Sequence, residues 1–392
     1  MSQQLGYVIV TPYSLYKSRT GGILSRLISR TGLDLAAMRM FAPSAELVKE
    51  YAETIVSAYD SQDRKIQELL RDYVLENLAP DPKTGRHRRV MVMLFRGEDA
   101  VRKVRSVVGN LSPDRRGGET IRDTYSDLIM DEADGHVRYF EPAVLASPNE
   151  QEAERKLKLW ARYSNCDGGL LGNVIAYHPE ELPERTLVLI KPDNFNFATG
   201  RPGNVIDFFS RAGLYIVGVK VLHMSVAQAM EFYGPVRDVL RTKLKEGVSE
   251  RAKTVLEKEF SFKIPPAEQR ALGDILGPLQ GDSQFDVIMR FMSGRTPSEC
   301  GTEEERQKPG TQKCIALVYE GVNAVRKIRD ILGPTDPSKA PPGSIRREFG
   351  SNITVNAAHA SDSVENAKRE MAIVNPGENN FKQVIEEIYG KT

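Results

Sequence analysis

Val90 to Asn110 reads VMVMLFRGEDAVRKVRSVVGN, and Cys314 to Pro334 reads CIALVYEGVNAVRKIRDILGP. Each is an apolar, β-branched run, a two-residue turn and a helix with an apolar stripe, closed by glycine. The likeness continues downstream, where ETIRDTY (Glu119 to Tyr125) parallels GSIRREF (Gly343 to Phe349). Arg105 and Arg329 are 224 residues apart, and so are Arg122 and Arg346. A constant offset over two separate segments marks an internal duplication.

Outward from this pair the same repetition holds. LGYVIVTPYS (Leu5 to Ser14) and RTLVLIKPDN (Arg185 to Asn194) are both strands ending in a proline turn. Each is followed by a helical pattern, a glycine and a further strand. Each copy therefore reads strand, helix, strand, a variable middle, then strand, helix, strand, helix. That order predicts an α+β fold of two ferredoxin-like (βαββαβ) domains, each an antiparallel sheet covered by helices. The expected boundaries are 1–160 for the first domain, 161–183 for a linker and 184–392 for the second. The second copy has a long middle, about Pro235 to Gly310. It holds a charged helical stretch, Arg237 to Phe260, and a Gly/Pro/Glu-rich loop, SGRTPSECGTEEERQKPGTQ. It is an inserted surface element, a lid or an oligomer contact.

Composition sets outer limits. With 392 residues, 40% apolar and 27% charged, either half has enough chain to bury its own core. A formal net charge of +1 gives no case for nucleic acid or an anionic membrane. Three cysteines without metal-type spacing read as buried or inert thiols of a reducing cytoplasm. His136, His178 and His223 lack partners at metal spacing. The basic run DPKTGRHRRV and the acidic EEERQK read as solvated loops, and Trp160 as a packing residue of the inter-domain segment.

The chemistry gathers around VNAAHASDSVENAKRE, Val355 to Glu370. Asp362 and Glu365 suit an N-cap and capping box. Val364, Ala367, Met371 and Ala372 then form an apolar stripe. His359 thus lies just before a helix N-terminus, among residues small enough to admit a bulky electrophile. Glu370 falls off the stripe and can turn back toward the imidazole. Such a histidine is either a packed structural residue or a nucleophile whose attacking nitrogen a carboxylate selects. Arg329 shares the face of Val325 and Leu332, so its charge is expected to be partly buried, beside an anionic ligand or a local acid. Arg346 offers a second guanidinium, and Lys191 ends a strand, where ligand sites commonly lie. Together they suit a polyphosphate. No Walker-type glycine loop is present.

From Glu184 to Asn375, apart from the insertion, the second copy resembles nucleoside diphosphate kinases. The resemblance rests on ERTLVLIKPD, YEGVNAVRKIRDILGPTDPSKAPPGSIRREF and NAAHASDSVENAKRE. It implies transfer of a γ-phosphate from a nucleoside triphosphate to a nucleoside diphosphate through a phosphohistidine, with Mg²⁺ carried on phosphate oxygens. It makes His359 the phosphorylated residue, Glu370 its orienting carboxylate and Ser361 a member of the same hydrogen-bond set. Lys191 would contact the sugar hydroxyl and the phosphates, Asn356 the sugar, and Arg329, Thr335 and Arg346 the β- and γ-phosphates. Tyr233 would sit beside the transferring phosphate and Ile353 would touch the base, with Phe285 as the suggested stacking aromatic. Ala360 stands where the family has glycine, and the loop after Lys191 is longer than usual.

In the first copy Thr11 stands at the lysine position and Leu145 at the histidine position, while Tyr51, Arg105 and Arg122 match. That copy is expected to be catalytically silent, either a pseudo-dimer partner or a binder of nucleotide or phosphate. A homo-oligomer or an intramolecular pseudo-dimer is implied. The competing reading is a non-catalytic nucleotide-binding or scaffolding protein on the same fold.

Overall fold

The structure is a computed structural model describing residues 3–60, 62–111, 117–131 and 136–392. Its strands are β1 (Gln4–Val10), β2 (Asp34–Phe41), β3 (Val90–Gly97), β4 (Asp127–Met130), β5 (Val137–Glu141), β6 (Val144–Leu145), β7 (Pro183–Ile190), β8 (Tyr215–His223), β9 (Lys313–Val322) and β10 (Ala358–Ala360). The chain divides into two compact units. One comprises Met1–Leu222, Ile315–Met371 and Asn375–Thr392, and the other His223–Cys314 with Ala372–Val374.

The first unit carries two four-stranded sheets, ordered β2-β3-β1-β6 and β10-β7-β9-β8. Counted among the strands of each sheet and read from the edge strand β6 or β10, both run fourth, first, third, second, an α+β order consistent with the ferredoxin-like pattern, while β4 and β5 pair separately. The strands are apolar on both faces because both faces are covered. Leu5, Tyr7 and Ile9 of β1 enter one core with Phe41 and Trp160. Trp160 packs edge-on to Phe41 and Tyr51, at 5.0 and 5.3 Å between ring centroids. It lies in the Glu150–Tyr163 helix and is a core residue of the first sheet.

Left-handed backbone conformations recur at matched positions in the two halves. Asp99 and Asn323, each just after a strand, are both left-handed, at φ 52° and 56°. So are Ala143 and Ala357, at φ 61° and 68°, each two residues before the residue at issue, Leu145 and His359. A left-handed alanine is strained, so its recurrence shows the same turn imposed twice.

Helices Thr20–Thr31 and Arg201–Ser210 bring the halves together. A Cβ on Gly21 would lie 2.2 Å from both the Gly203 carbonyl oxygen and Asp207 Oδ1, so only glycine permits this approach. The C-terminal helix Asn380–Tyr389 packs on the first sheet, with Phe381 5.4 Å from Phe41. Buried Arg39 donates to the carbonyls of Ser164, Gly168, Gly377 and Glu378, linking the middle of the chain to its end.

The second unit is built on two long helices, Val226–Phe260 and Pro266–Ser293. The first begins well before the expected Arg237, because Ser225 and Gln228 form a reciprocal capping box. Gly273, Gly277 and Gly281 let the backbones approach closely; a Cβ on Gly281 would lie 2.6 Å from Arg241 N. Asp282 accepts from Arg237 and Arg241 at 2.7–2.8 Å. EEERQK is not simply loop: Glu303–Gln307 forms an exposed helical turn capped by Thr302.

Other expectations also change. Ser363, not Asp362, caps the Val364–Val374 helix, accepting from Asn366 N at 3.0 Å. Asp362 instead accepts from the Asn366 side chain. The helix buries Ala367 and Glu370 and exposes Ala372, so its inner face includes the carboxylate. Cys300 and Cys314 are buried, but Cys166 is exposed. No described helix is long and apolar enough to cross a membrane.

Candidate active site

The centre is built where β10 meets β7. His359 pairs with Leu189 in the ladder, which fixes its backbone, and the left-handed Ala357 turns the chain into that strand. The Ala357 carbonyl accepts from Lys191 N at 2.9 Å and from Asn194 Nδ2 at 2.7 Å. Two segments about 165 residues apart in sequence are thereby tied at the end of β7.

Glu370, one helical stretch further on, reaches back. Its Oε2 lies 2.9 Å from His359 Nε2 and accepts from Ser361 Oγ at 2.6 Å, while Arg369 Nη2 stands 3.6 Å from Oε1. The imidazole is 23% exposed and the carboxylate 6%. A buried carboxylate thus faces a ring that solvent can reach. An ionised carboxylate accepts only, so Nε2 carries the proton and Nδ1 the lone pair.

Arg346 stands behind this pair. It is 8% exposed and donates through Nη1 to the Gly333 carbonyl at 3.0 Å and through Nη2 to that of Ala358, next to His359, at 3.3 Å. Gly333 ends the Ala324–Leu332 helix, its N–H donating to the Arg329 carbonyl. Arg329 is exposed, contrary to expectation. Its stripe neighbours Val325 and Leu332 are buried, while a long charged side chain can turn to solvent.

Lys191 is 7% exposed; its Nζ donates to the Thr354 carbonyl and, at 2.9 Å, to Asn356 Oδ1. Asn356 Nδ2 in turn donates to the carbonyls of Thr335 and Ile353, both at 3.0 Å. One network therefore joins Lys191, Asn356, Thr335 and Ile353. The Ile353 side chain is 57% exposed. Tyr233 and Phe285 belong to the second compact unit. Phe285 is 3% exposed beneath the Arg237 guanidinium, so its ring presents no open face for stacking.

Three residues escaped the sequence reading. Asp193 and Arg201 form an ion pair at 2.7 Å, and Arg201 Nε donates to Asn194 Oδ1 at 3.0 Å, bracing the turn after Lys191. Burial pushes the Asp193 carboxyl up, opposed by Arg201 and Lys191. Asp and Asn directly after a Lys-Pro strand end were the available signal. Among the described residues no group of three or more His, Cys, Asp or Glu could hold a metal.

A family model described as nucleoside diphosphate kinase matches residues 184–241 and 308–379. The nucleoside diphosphate kinase of Wolinella succinogenes is 33% identical over 190 residues, 48% of this chain and 93% of that protein. That of Campylobacter hominis is 31% identical over 189 residues, again 48% of this chain and 93% of that protein. A solved NDP kinase from Pyrobaculum aerophilum is 25% identical, covering 49% of this chain and 95% of that one, with a TM-score of 0.34. The chain belongs to the nucleoside diphosphate kinase family. It is a distant member, and the relatives account for about half of its length.

Proposed function

We propose that this chain is a tandem of two nucleoside diphosphate kinase-like halves, 1–160 and 184–392 joined by 161–183, and that only the second is catalytic. The second half moves the γ-phosphate of a nucleoside triphosphate to a nucleoside diphosphate in a ping-pong cycle. His359 Nδ1 attacks the γ-phosphorus, the bond to the β-γ bridging oxygen breaks, and the nucleoside diphosphate leaves. An oxygen of the acceptor's terminal phosphate then takes the phosphoryl group and restores the imidazole. Glu370 holds the Nε2 proton throughout and stabilises the charge that develops on the ring.

The observation that carries this reading is the Glu370 carboxylate shared between His359 Nε2 and Ser361 Oγ. Buried and doubly bonded, it fixes the ring with one nitrogen selected for attack. Arg346, Arg329 and Thr335 would neutralise and place the β- and γ-phosphates, and Lys191 and Asn356 the sugar and phosphates, since phosphoryl transfer asks mainly for positioning and charge stabilisation. Ile353 would act against the base. With no carboxylate cage among the described residues, Mg²⁺ enters as part of the substrate, on phosphate oxygens and water.

Glycine-mediated packing of helices Thr20–Thr31 and Arg201–Ser210 supports an intramolecular pseudo-dimer. Incubation with γ-³²P-ATP and GDP should give labelled GTP and an acid-labile, base-stable phosphoprotein. Both should vanish in His359→Ala. A scaffold on the same fold would bind nucleotide and give neither product.

A further inference from the structure

The first half repeats the arginine geometry of the second without its nucleophile. Arg122 donates through Nη1 to the Gly109 carbonyl at 3.1 Å and through Nη2 to that of Val144 at 3.3 Å. Arg346 uses the matching carbonyls, Gly333 and Ala358. Leu145 pairs with Ile9 as His359 pairs with Leu189. Ser147 and Lys156 lie 2 and 11 residues after Leu145, as Ser361 and Glu370 lie after His359. A cation therefore stands at the position of the orienting carboxylate.

Three cations gather here at a cost. Arg122 is 1% exposed, and its Nε has no hydrogen-bond partner among the described residues. Burial, together with the neighbouring charge of Arg105, lowers its pKa to about 9. Lys156 is 4% exposed and meets Glu152 at 3.3 Å. Asp60 acts electrostatically on Arg105, Arg122 and Lys156 alike. With Glu152 and Asp60 included, these five groups keep a net positive charge. A buried guanidinium with an unmet N–H, beside Arg105 and sharing the acid Asp60 with Lys156, calls for an anion with several acceptor oxygens.

The side toward β1 limits how large that anion is. Thr11 and Pro142 occupy the positions of Lys191 and Asn356. Buried Glu141 accepts from Thr11 Oγ1 at 2.9 Å and from Tyr73 Oη at 2.7 Å. A carboxylate there replaces the ammonium of the other half and repels a ligand extended in that direction.

We propose that the first half is a second, non-catalytic anion site in which Arg105, Arg122 and Lys156 hold a small inorganic phosphate or pyrophosphate, with Asp60 as the internal charge it displaces. Only the ligand chemistry of the duplicated arginines is taken from the function proposed above.

The test is equilibrium dialysis of the whole chain with ³²P-pyrophosphate, without added metal, in saturating ADP to fill the second half. Fluorescence of Trp160, the one tryptophan of the sequence and in ring contact with Tyr51, gives a parallel readout. About one pyrophosphate should bind per chain, and binding should persist in His359→Ala, so failed catalysis would leave this test intact. Arg105→Gln, at a partly exposed position, should weaken binding at least tenfold, and Asp60→Asn should tighten it about fivefold. No pyrophosphate bound under ADP, or binding indifferent to both variants, overturns the proposal. Two ADP per chain with exclusion of pyrophosphate also overturns it, because the ligand class is then wrong.

Discussion

Replacing Glu370 by glutamine isolates the charge of the orienting carboxylate. The amide oxygen can still accept from His359 Nε2 and Ser361 Oγ, whose present distances are 2.9 and 2.6 Å, so ring position is largely kept. What is lost is the negative charge facing the imidazolium that forms as Nδ1 attacks. A hydrogen bond to a charged group contributes about 1.5–3 kcal/mol against about 1 kcal/mol for a neutral pair. The barrier should therefore rise by about 1–2 kcal/mol, which slows phosphoenzyme formation by about 5- to 30-fold. Glu370→Ala also strands the Nε2 proton and the buried Ser361 hydroxyl, adding about 1–3 kcal/mol. Its total cost of about 2–5 kcal/mol corresponds to a loss of about 30- to 5,000-fold. The assay is rapid-quench labelling with γ-³²P-ATP at saturating nucleotide, counting acid-labile, base-stable label on the chain. Nucleotide affinity, measured in parallel, should be almost unchanged, because Glu370 orients the histidine and does not hold substrate. A labelling rate within twofold of wild type in Glu370→Gln, or a matched loss of nucleotide affinity, would refute the reasoning.

Other consequences follow from the same geometry. Introducing a nucleophile into the first half should fail: Leu145→His in a His359→Ala background should give no acid-labile label, because Lys156 repels an imidazolium where Glu370 would stabilise it; label at that position would contradict this. Gly21→Ala places a methyl 2.2 Å from the Gly203 carbonyl and should destabilise the chain by about 1–3 kcal/mol in urea titration. Phe381→Ala, in the core around Phe41 and Trp160, should cost about 3–5 kcal/mol by the same method. Burial raises the Asp207 carboxyl to about 6, partly offset by the N–H groups of Gly21 and Gly22. A folded-state pKa above the unfolded value means the native state binds more protons between about pH 4 and 6, so this group's contribution falls as pH rises through that window. Asp207→Asn should therefore raise Tm more at pH 7.5 than at pH 5, and an equal shift at both pH values would show that the carboxyl is not held in this way.

Much of this protein was written locally. Paired strand-turn-helix segments with a constant offset declared the duplication and the strand order, because alternation, glycine stops and proline turns act over a few residues. The histidine among small residues and the acid 11 positions on were legible for the same reason. Where local pattern failed, a non-local contact had decided. Periodicity put Glu370 off the apolar stripe, yet it is buried, because Ser361 and His359 supply the bonds that make a buried carboxylate affordable. Arg329 lies between buried Val325 and Leu332, yet its long side chain turns to water.

Taken alone, the sequence determined two α+β repeats and the set of side chains proposed here for phosphoryl transfer. Which residues share a compact unit was decided only in three dimensions. The helix Asn380–Tyr389 enters the core of the first sheet, and glycines at 21 and 203 let two helices from opposite halves touch. That the ammonium of Lys156 is buried, as the carboxylate of Glu370 is, also became visible only in the folded chain. The physical reason is common to all three. Propensity and periodicity report what a residue's neighbours in sequence impose, whereas burial of a charge or a close backbone approach depends on partners that the folded chain brings from far away.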